Sequence, residues 1–241
     1  MSPPDANKPI KRETLRKRVS LTSFLGLIDS LESCIKKLKW YPKGTEWGDY
    51  YESSNYILEA INHKKQLVSD FLDKISPRTV WDLGANIGLF SRIASNKGIQ
   101  TISLDIDPAC VERNYLTAID KGETNILPLL LDLTNPSPGI GWENEERKSF
   151  LQRGYADTAL ALALIHHLVI SNNLPLDRIA SLFKNICSSL IIEFIPKSDP
   201  NAQRLLATRE DIFPNYTQEA FESEFSKLFE IHDSVNIRNS E

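Results

Sequence analysis

The chain has 241 residues, enough to bury one sizeable hydrophobic core and to form one or two domains. Its 41% hydrophobic and 25% charged residues are ordinary for a globular protein, and a formal net charge of −4 argues against a wholly basic nucleic-acid-binding surface. No apolar run has the length of a membrane span and no apolar signal core opens the chain, so a cytoplasmic protein is expected.

The N-terminal part of the chain is predicted to be a tail followed by a helical cap. Residues 1–12 are polar and basic, typical of a disordered solvated tail, although such a run can also contact phosphates or acidic lipid. Residues 13–76 carry two apolar patterns with helical spacing, joined by an aromatic-rich loop. In that loop Trp47, Tyr50 and Tyr51 are expected either to cover the ligand site as a lid, with the tyrosines touching substrate, or to pack against the following domain.

The following domain, residues 77–241, opens with a strand, a glycine turn and a helix over residues 79–90. Asp82 ends the strand, and Gly84 and Gly88 bracket the turn. A carboxylate two residues before the first glycine opposes a pyrophosphate and suits a ligand that carries a cation. The alternative is a purely structural turn.

Acidic residues end the next two predicted strands. The second strand covers residues 99–107, and its Asp105 lies 21 residues after Gly84, where it can accept ribose hydroxyls or merely cap a helix. The third strand, residues 125–131, is followed by Asp132, which is either a ligand contact or a turn former before a proline.

The fourth and fifth predicted strands end in side chains that can exchange protons. The fourth, residues 157–165, is almost unbroken apolar and leads into His166 and His167. One of these histidines can serve as a general base or as a positioning residue. Glu193, within the apolar strand 190–195, needs a partner or a ligand. The remaining predicted elements are helices at 13–40, 55–74, 142–152, 174–188 and 218–229 and a sixth strand at 229–237.

No metal site is predicted. Adjacent histidines are poor joint ligands for one ion, and no HExxH motif or cysteine cluster accompanies them. The three cysteines are widely separated and are interpreted as reduced thiols.

In order and spacing, these motifs resemble the class I S-adenosylmethionine (SAM)-dependent methyltransferases over residues 79 to 195. Residues 160–168 and 192–197 also resemble a bacterial subgroup that includes nodulation-type methyltransferases. The resemblance implies an α/β, Rossmann-like, doubly wound, mostly parallel sheet with SAM as cofactor. The SAM contacts that it implies are Asp82, Gly84, Ala85, Asn86, Gly88, Asp105, Asp132 and Ala163, and the catalytic candidates are His166, His167 and Glu193.

The implied reaction is in-line attack of an acceptor, expected to be a small molecule, on the sulfonium methyl group. Two alternatives remain: a non-catalytic SAM-binding protein, and an NAD-dependent reductase, for which the third glycine of the turn is missing. The family's seventh strand has no counterpart before Glu241. The sequence therefore leads us to expect a chain that continues, a strand donated by a second protomer in a homo-oligomer, or a sixth strand placed beside the fifth.

Overall fold

The computed structural model describes residues 19–41, 45 and 58–238. They belong to two compact units, which divide after Tyr41. The first unit contains helix α1, Leu21–Lys37, whose N-cap Ser20 accepts the Ser23 amide through its hydroxyl at 3.1 Å. Trp47, Tyr50 and Tyr51 lie outside the described residues, so the predicted lid stays a prediction.

The second unit is a sheet flanked by helices. Its first helix, α2 (Leu58–Ile75), belongs to this unit, whereas the sequence grouped it with α1 in one cap. The elements that follow are β1 (Thr79–Leu83), α3 (Ser91–Asn96), β2 (Gln100–Asp105), α4 (Pro108–Asp120), β3 (Ile126–Leu130), a 3-10 turn (Trp142–Asn144), α5 (Phe150–Arg153), β4 (Ala156–Ala161), a π-helical turn (His167–Ser171), α6 (Leu176–Ile186), β5 (Cys187–Ile192), α7 (Pro200–Leu206) and α8 (Gln218–Ser226). Among the residues that the structure describes, no helix is long and apolar enough to cross a bilayer.

The five strands are all parallel, in the order β3-β2-β1-β4-β5. The order reverses at β1, which pairs with β2 on one side and β4 on the other. Ligands of open α/β sheets bind at the carboxyl ends of the strands beside such a reversal. The predicted Rossmann-like α/β fold is therefore confirmed, and it directs attention to the turn that follows β1.

Successive side chains of β1 point to opposite faces of the sheet and enter two different apolar clusters. Trp81 and Leu83 join a large apolar cluster that includes the fully buried Phe183 of α6. Val80 points the other way, into a second cluster with Val68 and Leu72 of α2. Asp82 shares the face of Val80, which places a carboxylate beneath α2 and α3.

The outer edge strand β3 contains a proline at its centre. The Asn125 carbonyl accepts the Thr101 amide, and the Leu131 amide donates to the Asp105 carbonyl, each at 2.8 Å. Odd-numbered peptide groups of β3 therefore face β2, and the ring nitrogen of Pro128 faces the free edge. A proline inside a strand is tolerated in this position, because no ladder hydrogen bond is lost.

The predicted sixth strand is wrong. Residues 231–237 form no strand. Their segment lies against α2 instead: Asp233 accepts from Lys74 at 3.1 Å, and the Arg238 amide donates to Nδ1 of His63 at 3.0 Å. Ile231 and Val235 stay about half exposed, so the alternating apolar pattern that suggested a strand is not buried in a sheet.

Two other boundaries differ from the prediction for local backbone reasons. Strand β4 ends at Ala161, because Ala163 has a left-handed φ of 49° that a strand cannot contain. The predicted helix at 142–152 breaks into a 3-10 turn and the short α5, because Glu143 and Asn144 have φ values of 55° and 61°.

Candidate functional site

The turn after β1 has no spare amide donors. The five amides of residues 84–88 all donate within the protein: Gly84 (2.8 Å) and Ala85 (3.0 Å) to the Leu104 carbonyl, Asn86 to Oδ2 of Asp105 (2.6 Å), Ile87 to Oδ1 of Asn86 (2.7 Å) and Gly88 to the Ala85 carbonyl (2.9 Å). A phosphate-binding loop needs free N–H groups that point at the anion. This turn instead presents carbonyl and carboxylate oxygens, which suit a ligand rich in donors or positive charge.

The two glycines of the turn have different surroundings. Gly84 is exposed, with a φ of 75°, and a Cβ there would meet only the flexible end of Leu164 at 3.1 Å. Gly88 is buried, with a φ of 77°, and a Cβ would lie 2.4 Å from Oδ1 of the buried Asn114. Gly84 therefore leaves accessible space at the surface of the turn, whereas Gly88 is required by the close approach of α4.

Substitution of the two glycines should separate these roles. We expect Gly88→Ala to destabilise the fold by about 3 kcal/mol, because left-handed strain and the clash with Asn114 add together. Gly84→Ala should cost about 1 kcal/mol, because Leu164 can rotate away. Urea unfolding of both variants measures the difference, and equal losses of stability would contradict the assignment of Gly88 to packing.

Asp105 lies at the carboxyl end of β2, beside the turn. Its Oδ2 accepts the Asn86 amide at 2.6 Å and its Oδ1 accepts the Asp107 amide at 2.8 Å. The helix cap that was the alternative role for Asp105 belongs to Asp107, whose Oδ1 accepts the Ala109 amide at 2.8 Å. Each Asp105 oxygen keeps a second lone pair, so a vicinal diol could donate to both.

Burial raises the pKa of the Asp105 carboxyl above its ordinary value and the charge of the nearby Asp107 adds to the rise, while hydrogen bonds from the backbone of Asp107, Asn86 and Ile106 lower the pKa. Hydrogen-bond donors of a bound ligand would stabilise the ionised carboxylate of Asp105, and the ionised carboxylate would bind those donors more strongly than the protonated form. The position is therefore electrostatically suited to hydroxyl or cationic donors.

Asp82 is almost fully buried, beneath the turn rather than on its surface. Its Oδ2 accepts the Ser91 hydroxyl at 2.5 Å. The Ser91 and Ser103 hydroxyl oxygens are 2.9 Å apart, and Asn114 donates to Ser103 at 2.7 Å. These four side chains connect β1, β2, α3 and α4, so Asp82 fixes the shape of the turn from below.

Burial raises the pKa of Asp82 from 3.8 to about 6, with a further raising effect from Asp105, while Ser91 and Lys64 lower it. The folded protein thus holds this proton more tightly than the unfolded chain. The resulting stabilisation is complete below about pH 4 and is lost as the pH rises through about 6.

Asp82→Asn should therefore stabilise the fold in a pH-dependent way. Two pKa units correspond to about 3 kcal/mol, so the variant should gain about 1–3 kcal/mol over the native chain at neutral pH and little at about pH 4. Urea unfolding at the two pH values tests this, with the exposed Asp120→Asn as control. A gain of equal size at both values would contradict a raised pKa at Asp82.

A buried ion pair connects α2 to the strand ends. Nζ of Lys64 lies 2.6 Å from Oε2 of Glu193, and each side chain is only 10% exposed. The same Oε2 accepts the Ala163 amide at 2.7 Å, and the Lys64 ammonium lies 4.8 Å from the centre of the Phe90 ring. Glu193 thus has the partner that its position required, and it holds the left-handed Ala163 in place.

Lys64 was missed by the sequence analysis. A lysine beside a second lysine on an amphipathic helix is typical of a solvated face, and no local signal marks it as buried. Only the unexplained carboxylate of Glu193 indicated that an opposite charge had to lie nearby.

The two histidines stand together just beyond β4. His166 is 3% exposed, its Nδ1 has no hydrogen-bond partner among the described residues, and its ring centre is 4.0 Å from that of His167. Burial lowers the pKa of His166 to about 3, helped by His167 and Lys64, and burial lowers the pKa of His167 to about 4. Both rings are therefore neutral near pH 7 and are weak proton acceptors in this state.

Asp132, one of the expected SAM contacts, forms a turn in the structure. Its Oδ1 accepts the Thr134 amide at 2.8 Å and the Thr134 hydroxyl at 2.7 Å. This is the turn-forming role that the sequence left open. A contact between Asp132 and a ligand stays a prediction.

One protein of known description is similar to the chain in sequence. Over 213 residues the chain is 38% identical to the nodulation protein NoeA of Rhizobium meliloti (strain 1021). The match covers 88% of this chain and 44% of NoeA, so the chain spans less than half the length of that relative. No protein-family model matches the chain.

Solved structures are similar in fold. A Nostoc punctiforme PCC 73102 protein, described provisionally as an O-methyltransferase, is 18% identical with a TM-score of 0.52 over 85% of this chain and 62% of its own. The bifunctional kinase-methyltransferase WbdD gives a TM-score of 0.46 at 15% identity over 78% of this chain and 40% of its own. The likeness to the Nostoc punctiforme protein agrees with the strand order and supports the expected Rossmann-like fold.

Proposed function

We propose that this chain, which has the fold of the class I methyltransferases, binds SAM at the turn after β1 and transfers its methyl group to a small-molecule acceptor. The observation that carries the proposal is the polarity of the turn. All five of its amides are used internally, while Asp105 presents carboxylate lone pairs beside it. SAM carries an ammonium, a sulfonium and two ribose hydroxyls, and it has no phosphate.

The same observation disfavours a dinucleotide. A pyrophosphate would meet no free amide in the turn, and the carboxylate of Asp82 lies beneath it. Asp105 alone would suit the ribose of either cofactor. The absence of anion donors in residues 84–88 therefore supports SAM over a dinucleotide.

The residues of the chain would hold the reactants rather than supply a strong base. When bound, SAM would supply a methyl group that is already activated for transfer. Asp105 would hold the ribose, exposed Gly84 would allow close approach of the methionine portion, and the small Ala163 would leave room beside it. Alignment and exclusion of water can supply much of the rate of such a transfer.

The three catalytic candidates fit positioning better than proton transfer. His166 and His167 have strongly lowered pKa values, and Glu193 is already bound to Lys64 and to the Ala163 amide. The neutral His166 ring, with its unpartnered Nδ1, can orient an acceptor hydroxyl or amine. Their assignment to catalysis stays a prediction.

Calorimetric titration of the purified chain with SAM, S-adenosylhomocysteine and NADH tests the binding step. We expect micromolar affinity for the two adenosyl compounds and no heat from NADH, because the turn lacks anion donors. NADH binding without SAM binding would overturn the proposal in favour of the reductase.

Methyl transfer is tested separately with SAM labelled on its methyl group and a small-molecule extract as the source of acceptor. Label in a small-molecule product supports transfer. Tight binding of SAM without transfer to any acceptor would favour the non-catalytic SAM-binding alternative.

A further inference from the structure

Helix α1 carries a broad apolar face with no buried residue on it. At 100° per residue, its large apolar side chains occupy a sector of about 160°. The sector runs from Leu27 at one margin through Leu31, Phe24, Ile35 and Ile28 to Leu25 at the other. These six side chains are 44–66% exposed, and Leu21, which lies in the same sector, is 73% exposed. Glu32 interrupts the sector near one margin, where Lys36 neutralises it at 2.5 Å.

The opposite face consists mainly of small polar residues and carries few charges. It is formed by Thr22, Ser23, Gly26, Ser30, Ser33 and Cys34, together with Asp29 and Lys37. A two-stranded coiled coil needs a narrow seam of two positions in seven, flanked by charged residues. Here Leu25 and Leu27 extend the apolar face on both flanks, which is the pattern of helices that lie in a lipid interface.

Residues 1–41 are basic, whereas the rest of the sequence is acidic. Residues 1–41 contain nine lysines and arginines against four acids. The remaining 200 residues contain 19 basic residues against 28 acidic ones. Six of the basic residues precede the helix, between positions 8 and 18, and three lie at its C-terminal end, at positions 36, 37 and 39. A basic segment on an acidic protein is attracted to anionic headgroups, which repel the remainder.

We propose that α1, with the basic residues on either side of it, binds the surface of anionic lipid bilayers. The helix lies in the plane of the interface, with the Phe24 and Ile28 side of the helix in the acyl region and its small polar face toward water. Lysines and arginines at both ends contact the headgroups, so that apolar burial and charge attraction act together. The proposal is independent of the methyl-transfer function, because it uses no residue of the turn.

Vesicle flotation of the full chain tests the proposal. We expect at least about tenfold more protein bound to vesicles with about a third phosphatidylglycerol than to vesicles of phosphatidylcholine alone, and release at high salt, because several basic residues contribute. Phe24→Ser with Ile28→Ser should reduce binding to the anionic vesicles by about tenfold or more, because two large side chains no longer enter the lipid.

The matched control is Leu116→Ser with Ile119→Ser, which removes two exposed apolar side chains from α4, 49% and 64% exposed. This variant should bind vesicles like the native chain. Equal binding to both kinds of vesicle, no binding to either, or full binding by the Phe24 and Ile28 variant would each overturn the proposal. So would light scattering that shows dimerisation through α1 without affinity for lipid.

Discussion

Lys64→Met is expected to destabilise the fold by about 3 kcal/mol. The substitution leaves the Glu193 carboxylate buried with only the Ala163 amide as a described partner, and an uncompensated buried charge is among the most damaging single changes. Methionine keeps most of the apolar stem that passes Phe90, so lost packing contributes little. The free energy of unfolding in urea measures the effect.

The matched control is Lys65→Met, the next residue on α2 and half-buried, which should change stability by less than about 1 kcal/mol. The double variant Lys64→Met with Glu193→Gln should recover most of the loss, because no charge is then left buried. A double variant that is as unstable as the single one would show that Lys64 acts through packing and not through charge.

Asp105→Ala is expected to weaken SAM binding by about 2–3 kcal/mol, or roughly 30- to 150-fold, because charge-assisted hydrogen bonds to the ribose are lost. Asp105→Asn should lose less, since one oxygen remains to accept. Calorimetry measures both affinities. Unfolding of the same variants shows how much of the loss follows from freeing the Asn86 and Asp107 amides, which Asp105 holds.

Asp120→Ala, which removes an exposed acid from α4, should leave SAM affinity unchanged and serves as the control. If Asp105→Ala binds SAM with native affinity, the ribose site lies elsewhere. The roles of Asp105 and Asp82 can also be distinguished by measurement. Asp82 fixes the turn from beneath, so Asp82→Asn should change the pH dependence of the free energy of unfolding.

The central sheet was predictable because its signals are local. Each motif lies within a short stretch of sequence: an apolar strand, a glycine turn, and an acid at the end of the next strand. The structure places Gly84 and Asp105 at adjacent strand ends, as expected. The five strands all occur, with ends shifted by a few residues. The boundary at Ala161 was not predictable, because the left-handed Ala163 depends on Glu193, which is distant in sequence.

The features that the sequence did not predict share one physical cause, which is contact between segments far apart in the chain. No local signal shows that the small size of Gly88 is required by Asn114 from another helix, and its contact with SAM stays a prediction. Lys64 carries no local signal of burial, but it lies buried against Glu193. Residues 231–237 have the alternation of a strand, but they lie on the surface of α2, where Asp233 accepts from Lys74 and the Arg238 amide donates to His63.

Pro128 gives the two sides of the sheet unequal capacities for growth. At the β3 side, the proline ring nitrogen offers no hydrogen to an incoming strand, so templated addition of a further strand is interrupted halfway along. At the β5 side, the Glu193 amide bonds to the Ala161 carbonyl, so the peptide groups of Ser188, Leu190 and Ile192 face outward, and no other strand among the described residues pairs with them. A strand recruited during assembly or misassembly is therefore expected to pair next to β5 rather than next to β3.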